Sequence, residues 1–375
     1  MSVEKTSLVE GPPNDVPQSP VSTDTDVSDT FAADPSREGG EDEGRDTFVQ
    51  PAVVGLSGEK ATADKSSTSG RKRKDEINLN TPFDIACRWI FSTPVVSWPT
   101  TLALSLLCKD PIQPSWMLAM QVLIWLKVGI GMSLLLHRFF SHQSFTAGRV
   151  TTFIFAVIAC LAGQRSPLWW VSKHRKHHRY PDTEKDPHSP VVMGFLRAFF
   201  LWLSEDEGIR TEIEFVPSSL LTPELILVER FFWVPNLVEY LIWYSLFGYA
   251  WMLKVGVWST ILGSASSLFF NVEFHQSPVY RAVVGNSSNA SVFSQIRLVL
   301  AALVAIAPLA WVNPVHLFGL CATVLVMCVG EHQHEEHHKH PTLAKRAGFD
   351  PLAVLLLPPL RSLGVVDWAA SNWKP

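Results

Sequence analysis

The chain has 375 residues, 47% hydrophobic and 18% charged, with 13 histidines and a formal charge of −4. A slightly acidic chain with no basic face and no recognition motif excludes nucleic acid as a partner. Its length would allow two soluble domains. Yet the first eighty residues are almost wholly polar and the remainder is strongly apolar, which points to an integral membrane protein.

Residues 1–80 are rich in Ser, Thr, Asp, Glu, Gly and Pro. They cannot bury enough apolar surface to offset their ordering entropy, so a disordered tail is expected. The tail has no apolar core of a signal peptide, and its acidity argues against a transit peptide. Next come Arg71-Lys-Arg-Lys74 and Arg88, then an apolar stretch over 90–107 interrupted by Pro94 and Pro99. The turn Lys109-Asp-Pro-Ile-Gln-Pro-Ser115 leads to a cleaner span over 116–136. A spanning helix needs about 20 apolar residues, so these two read as a transmembrane hairpin. The basic residues before the first span place the tail on the cytoplasmic side. Residues 151–162 are too short to span and read as an interfacial or buried helix. A second hairpin is expected over 231–249 and 252–270, with Gly248 at its turn. Two short apolar arms, 298–310 and 315–329, flank Trp311-Val-Asn-Pro314 and read as a third, short hairpin, or else as a pair of interfacial or packed helices capping the site. The five cysteines form no CxxC pair and read as small hydrophobes.

Eight histidines fall into three clusters beside these segments: His137 and His142; His174, His177 and His178; His334, His337 and His338. Neutral imidazole is the commonest protein ligand for first-row transition metals. Positions i, i+3 and i+4 share a helix face, so each of the last two clusters can point at one spot. After the second hairpin Asn271 and His275 return to the side that holds the clusters. A non-catalytic metal-binding protein or transporter is disfavoured, because the spans are nearly free of charge.

The pattern HxxxxH, HxxHH, HxxHH resembles the membrane fatty acid desaturases, in particular the stearoyl-CoA (Δ9) branch. The likeness extends to Asp186-Pro187-His188, to Gly330-Glu331-His332-Gln333-His334-Glu335-Glu336-His337-His338 and to Asn271-Val-Glu-Phe-His275. Glu335 stands where the family has Asn. The resemblance implies an all-α integral membrane fold in which a cytoplasmic helical cap holds a histidine-rich dimetal site. Residues 81–345 would form the desaturase domain, and 346–375 a C-terminal cytoplasmic segment. The implied metals are two Fe(2+) ions held by His137, His142, His174, His177, His178, His275, His334, His337 and His338, with Asn271 acting through a water. Imidazole alone would also allow zinc or manganese. Glu331, Asp182 and Asp186 are the expected carboxylate partners of the outer imidazole nitrogens. His188 is expected near the substrate or in a structural role. Lys173, Arg175, Lys176 and Arg179 could hold an anionic head group or lie at the lipid surface.

The implied activity is O2-dependent insertion of a cis double bond into a saturated acyl chain, carried on CoA or on a lipid. A lipid or alkane hydroxylase on the same scaffold is the alternative. No His-Pro-Gly-Gly haem segment is present, so a separate cytochrome b5 or ferredoxin with its reductase is the expected electron donor. The endoplasmic reticulum membrane is the expected location. The sequons at Asn286 and Asn289 are expected on the cytoplasmic side and hence unmodified, although such motifs usually mark luminal loops.

Overall fold

The structure is a computed structural model that describes residues 74, 76–111, 113–275, 329–331 and 334–374. Most of the polar tail, nearly all of the expected third hairpin, both sequons, His332 and the side chains of Glu335 and Glu336 lie outside the described residues.

Proline in the first turn opens α1 (Pro82–Ser92), α2 (Pro94–Leu107) and α3 (Pro114–Leu126), where its missing N–H costs nothing. The Thr81 hydroxyl and the Asp84 carboxylate form a reciprocal capping box on α1. Thr93 is extended, as a residue before proline prefers, and α1 and α2 meet there at a 42° bend. The expected span over 90–107 is therefore broken near its start. Helix α3 runs without a break into a π-helix, π1 (Lys127–Ser141), giving one 27-residue helix, Ser115–Ser141. Among the described residues this is the one helix long and apolar enough to cross a membrane, or one of two if the bent pair counts as a span. The second expected hairpin is built from shorter pieces. They are α7 (Val234–Phe247), a break at Gly248 with φ 82°, a π-turn π2 (Met252–Val257) and α8 (Trp258–Phe274).

Between the two halves lie α4 (Arg149–Cys160), α5 (Pro167–Arg179), short helical turns over 190–220, and α6 (Pro223–Arg230). Helix α4 buries Ala156, Ala159 and Cys160 and exposes Val150 and Ile154, as an interfacial helix would. Helices α4, α5 and α8 pack around π1, whose residues are buried except Ile130.

The chain ends with α9 (His334–Lys339) and α10 (Pro351–Ser362). The segment after residue 345 packs back on the rest: α10 lies against π1, and Val366–Asp367 pairs antiparallel with Thr146–Ala147. This small ladder departs from the all-α expectation. It ties the loop after the first histidine cluster to the C-terminal segment.

Buried charge is more abundant than the sequence reading allows. Arg88, counted there as a topogenic surface charge, is buried and paired with Glu229 at 2.5 Å. Lys127, inside the long helix, pairs with Glu239 of α7 at 2.8 Å and donates to the Thr260 hydroxyl of α8 at 2.5 Å. These apolar segments are thus not free of charge: Lys127 is paired with Glu239, and the buried Lys254 donates to the Cys108 and Asp110 carbonyls, which is the condition for keeping them within apolar surroundings.

Candidate metal centre and substrate cavity

His137 and His142 are five residues apart, a spacing that a regular α-helix would splay around its axis. The π1 segment closes i to i+5 hydrogen bonds instead, and the His142 N–H donates to the His137 carbonyl at 3.2 Å. Both rings then face inward. Helix α5 is positioned from its N-terminus: Ser166 caps it, and the buried Glu229 accepts from the Trp169 N–H at 3.1 Å. Glu229 also accepts from the Thr211 hydroxyl and pairs with Arg88, so one carboxylate joins α1, α5 and α6.

The nine expected histidines gather into two groups, each with its ligand nitrogens within 4.8 Å of one another. One is His137, His142, His174, His178 and His337; the other is His177, His275, His334 and His338. This corrects the expectation that each HxxHH cluster points at one spot. The i, i+4 pair His174 and His178 serves the first group, while His177 turns to the second. In α9 the relation is reversed: His334 and His338 serve the second group and His337 the first. Each helix therefore bridges both groups.

The inner nitrogens crowd without a positive partner. His137 Nε2 lies 2.8 Å from His337 Nε2, His142 Nε2 2.8 Å from His174 Nε2, and His275 Nε2 2.7 Å from His334 Nε2. His177 Nε2 is buried with no partner among the described atoms. Facing lone pairs in a buried pocket are what two cations would satisfy, so the donor set fits a pair of first-row metals. Burial, then the neighbouring imidazoles, push His174, His178 and His334 well below the ordinary value. The rings are therefore neutral and their lone pairs are available.

Carboxylates hold the outer nitrogens. Glu331 lies 3.0 Å from His137 Nδ1, Asp186 2.8 Å from His177 Nδ1, and Asp182 3.4 Å from His275 Nδ1. Burial alone would raise the Glu331 carboxyl; Arg346 and His137 beside it hold it well below the usual carboxylate range. Arg138 and Asp350 complete this buried network, at 2.7 Å from each other. Asp182 sits at φ 57°, a backbone conformation aspartate tolerates, and its N–H donates to Asp186 at 2.9 Å. Asn271 faces His188, with its amide nitrogen 2.9 Å from His188 Nδ1.

A cavity of about 590 Å³ begins at His137, His174 and His334 and runs inward to Tyr240 and Thr260. Trp170 stacks on the His174 ring and donates to Gln164 at 3.1 Å, and Gln164 donates to Ser267 at 2.9 Å. This trio fixes the wall next to the metal groups. The sequence reading did not find it, since a Trp, a Gln and a Ser far apart in the chain carry no joint signal. It also passed over Lys127 and Glu239, although a charged residue inside an apolar segment is a readable sign. The four basic residues around the second cluster are engaged within the fold. Lys173 and Lys176 both pair with Glu212, Arg175 donates to the Ser141 carbonyl at 3.2 Å, and Arg179 lies over the Tyr180 ring.

Fold and site together describe a helical protein that holds two histidine-lined metal positions at the head of an apolar cavity. No family model matches the chain. Among curated proteins it is 34% identical over 134 residues to a hex-5-enoyl-[acyl-carrier protein] acetylenase of Moorena producens, covering 34% of this chain and 40% of that one. It is 42% identical over 79 residues to an acyl-CoA C20 Delta5-desaturase of Anemone leveillei, covering 21% and 25%. It is 35% identical over 111 residues to Delta-9 acyl-lipid desaturase 1 of Arabidopsis thaliana, covering 28% and 36%. Parts of the chain are thus similar to fatty acyl desaturases and an acetylenase, and the matched stretches span two fifths or less of these relatives' own length.

Proposed function

We propose that this protein is a membrane-bound diiron acyl desaturase of the Δ9 type, converting a –CH2–CH2– unit of a saturated acyl chain into a cis double bond. The observation that carries the reading is the junction of two buried histidine groups with one apolar cavity. The balanced reaction consumes one O2, two electrons and two protons, and releases two waters with the unsaturated chain. The two hydrogens removed from the chain supply the other two electrons that O2 requires.

Iron held by the nine histidines, with Asn271 nearby, would supply the O2-derived oxidant that no side chain can provide. The remaining work falls to the chain's own residues. Glu331, Asp186 and Asp182 orient the imidazoles. Trp170, locked by Gln164 and Ser267, holds one stretch of the acyl chain against the His174 side. The apolar wall excludes water and so protects the reacting carbons. Two electrons per turnover come from a separate cytochrome b5 or ferredoxin. Two membrane hairpins and a third short one would place the centre at the cytoplasmic face, in the endoplasmic reticulum if the host is eukaryotic.

Expression in a desaturase-deficient host, followed by mass spectrometry of its fatty acids, tests the reading. The expected result is a new monounsaturated chain that disappears in His177→Ala. An inserted hydroxyl in place of a double bond would assign the scaffold to a hydroxylase and overturn the proposal.

A further inference from the structure

Every cation that the described cavity wall presents, histidines aside, is already committed. Only Arg165 and Lys173 line it. Arg165 is 2% exposed and donates to the Ser92 hydroxyl and to the Gly208 and Leu203 carbonyls at 2.7–2.8 Å. Lys173 is bound to Glu212 and to the Glu207 carbonyl. Glu212 in turn holds Lys176 at 2.8 Å, and the Glu207 carboxylate lies 3.5 Å from Lys176, so the two lysines of α5 face two carboxylates. The surface beyond them carries acid and base in matched pairs, Arg197 with Glu205 and Arg210 with Asp206. A carrier rich in phosphate needs uncommitted cations to replace its lost hydration. The described cavity lining offers none.

A second observation points the same way. Ile90, Phe91, Val96, Leu104 and Leu237 line the cavity and are 40–59% exposed, so the cavity is accessible among them. They belong to α1, α2 and α7, elements rich in apolar residues on their outward side. The stacked rings of Phe91 and Trp233, 4.7 Å apart, line the cavity beside them. In a bilayer this strip would face acyl chains, not water.

Resting on the desaturase reading above, we propose that the substrate is an acyl chain esterified to a membrane lipid with a zwitterionic or uncharged head group. The chain enters sideways from the bilayer between α1–α2 and α7. The head group stays at the membrane surface, where the balanced ion pairs neither attract nor repel it. A thioester carrier with several phosphates is a poor substrate at this edge.

The test uses the full-length enzyme in nanodiscs with an electron-donor system. One arm supplies phosphatidylcholine with deuterium-labelled stearoyl chains; the other supplies labelled stearoyl-CoA with unlabelled lipid. The expected result is at least tenfold faster desaturation of the lipid-linked label, with Leu237→Trp lowering that rate at least threefold at unchanged iron content. Adding free CoA should not inhibit. In Glu212→Gln, which removes the carboxylate shared by the two lysines, inhibition by CoA should appear. Equal or faster desaturation of stearoyl-CoA would overturn the lipid-linked assignment while leaving the desaturase reading intact. No double bond in either arm, nor in the fatty acids of the expression host, would remove the desaturase reading and this inference with it.

Discussion

At His137 the two ring nitrogens do different work. Nε2 faces the first metal group, and Nδ1 is held by Glu331, itself flanked by Arg138 and Arg346. Removing the carboxylate charge leaves two buried guanidinium groups poorly compensated and the imidazole weakly oriented. Glu331→Gln should therefore weaken iron binding roughly 10–100-fold, read by metal analysis of the purified protein. His340→Ala should leave iron content unchanged, since that exposed residue belongs to neither group. The same rings set a pH dependence. Burial and then neighbouring groups lower the imidazoles in the folded, metal-free protein, His188 to about 3 and His338 to about 2. An unfolded chain returns them to about 6.5. As the pH falls below 6.5 the unfolded state binds protons that the folded state refuses, so stability present above 6.5 is lost on acidification. The thermal midpoint of the metal-free protein should fall steadily from pH 7 to pH 5. A flat profile would show that the rings are not buried as described.

At the scale of elements, the fold depends on where helices touch and on which buried groups pin them. Glu229 joins Arg88, Ser166, Thr211 and the backbone at Trp169, and so fixes the N-terminus of the second histidine helix. Breaking such a buried pair by removing one partner costs roughly 3–5 kcal/mol. Glu229→Ala should therefore lower the thermal midpoint strongly, whereas Glu224→Ala, on an exposed pair with Arg149, should change it little. Gly163 precedes the same helix at φ 69°, and a Cβ there would meet the Thr260 methyl at 2.2 Å. Gly163→Ala should destabilise the protein and disturb the cavity floor, visible as loss of the thermal transition or of bound iron.

For the whole molecule, catalysis and topology make separate demands. The chain carries no recognisable electron-donor segment, so purified protein with O2 and substrate should stop after at most one turnover. Adding cytochrome b5 or ferredoxin with a reductase should restore cycling, followed as repeated double-bond formation. The metal groups require His275 and His334 on one side of the membrane. No membrane-length apolar run separates His275 from Asn286. Asn286 and Asn289 should thus stay unglycosylated in a eukaryotic host; an endoglycosidase-sensitive mobility shift would place His275 on the wrong side.

The sequence by itself singled out the nine histidines that gather into two groups. Histidine spacing on short helices is a local property, and chemistry restricts what nine clustered imidazoles can hold. It also determined the long apolar helix Ser115–Ser141, because apolar length is local too. How these histidines divide between the two groups was decided by tertiary structure. A helix pointed between two centres sends i and i+4 to one and i+3 to the other, and the choice depends on its axis relative to its neighbours. The π-helical register at His137 and His142 likewise depends on packing of π1 against α4, α5 and α8. Arg88 read as a topogenic charge, and Lys127 and Glu239 went unnoticed, until the fold supplied partners 112 to 141 residues away in the chain. Such pairing is long-range, and local sequence carries no record of it.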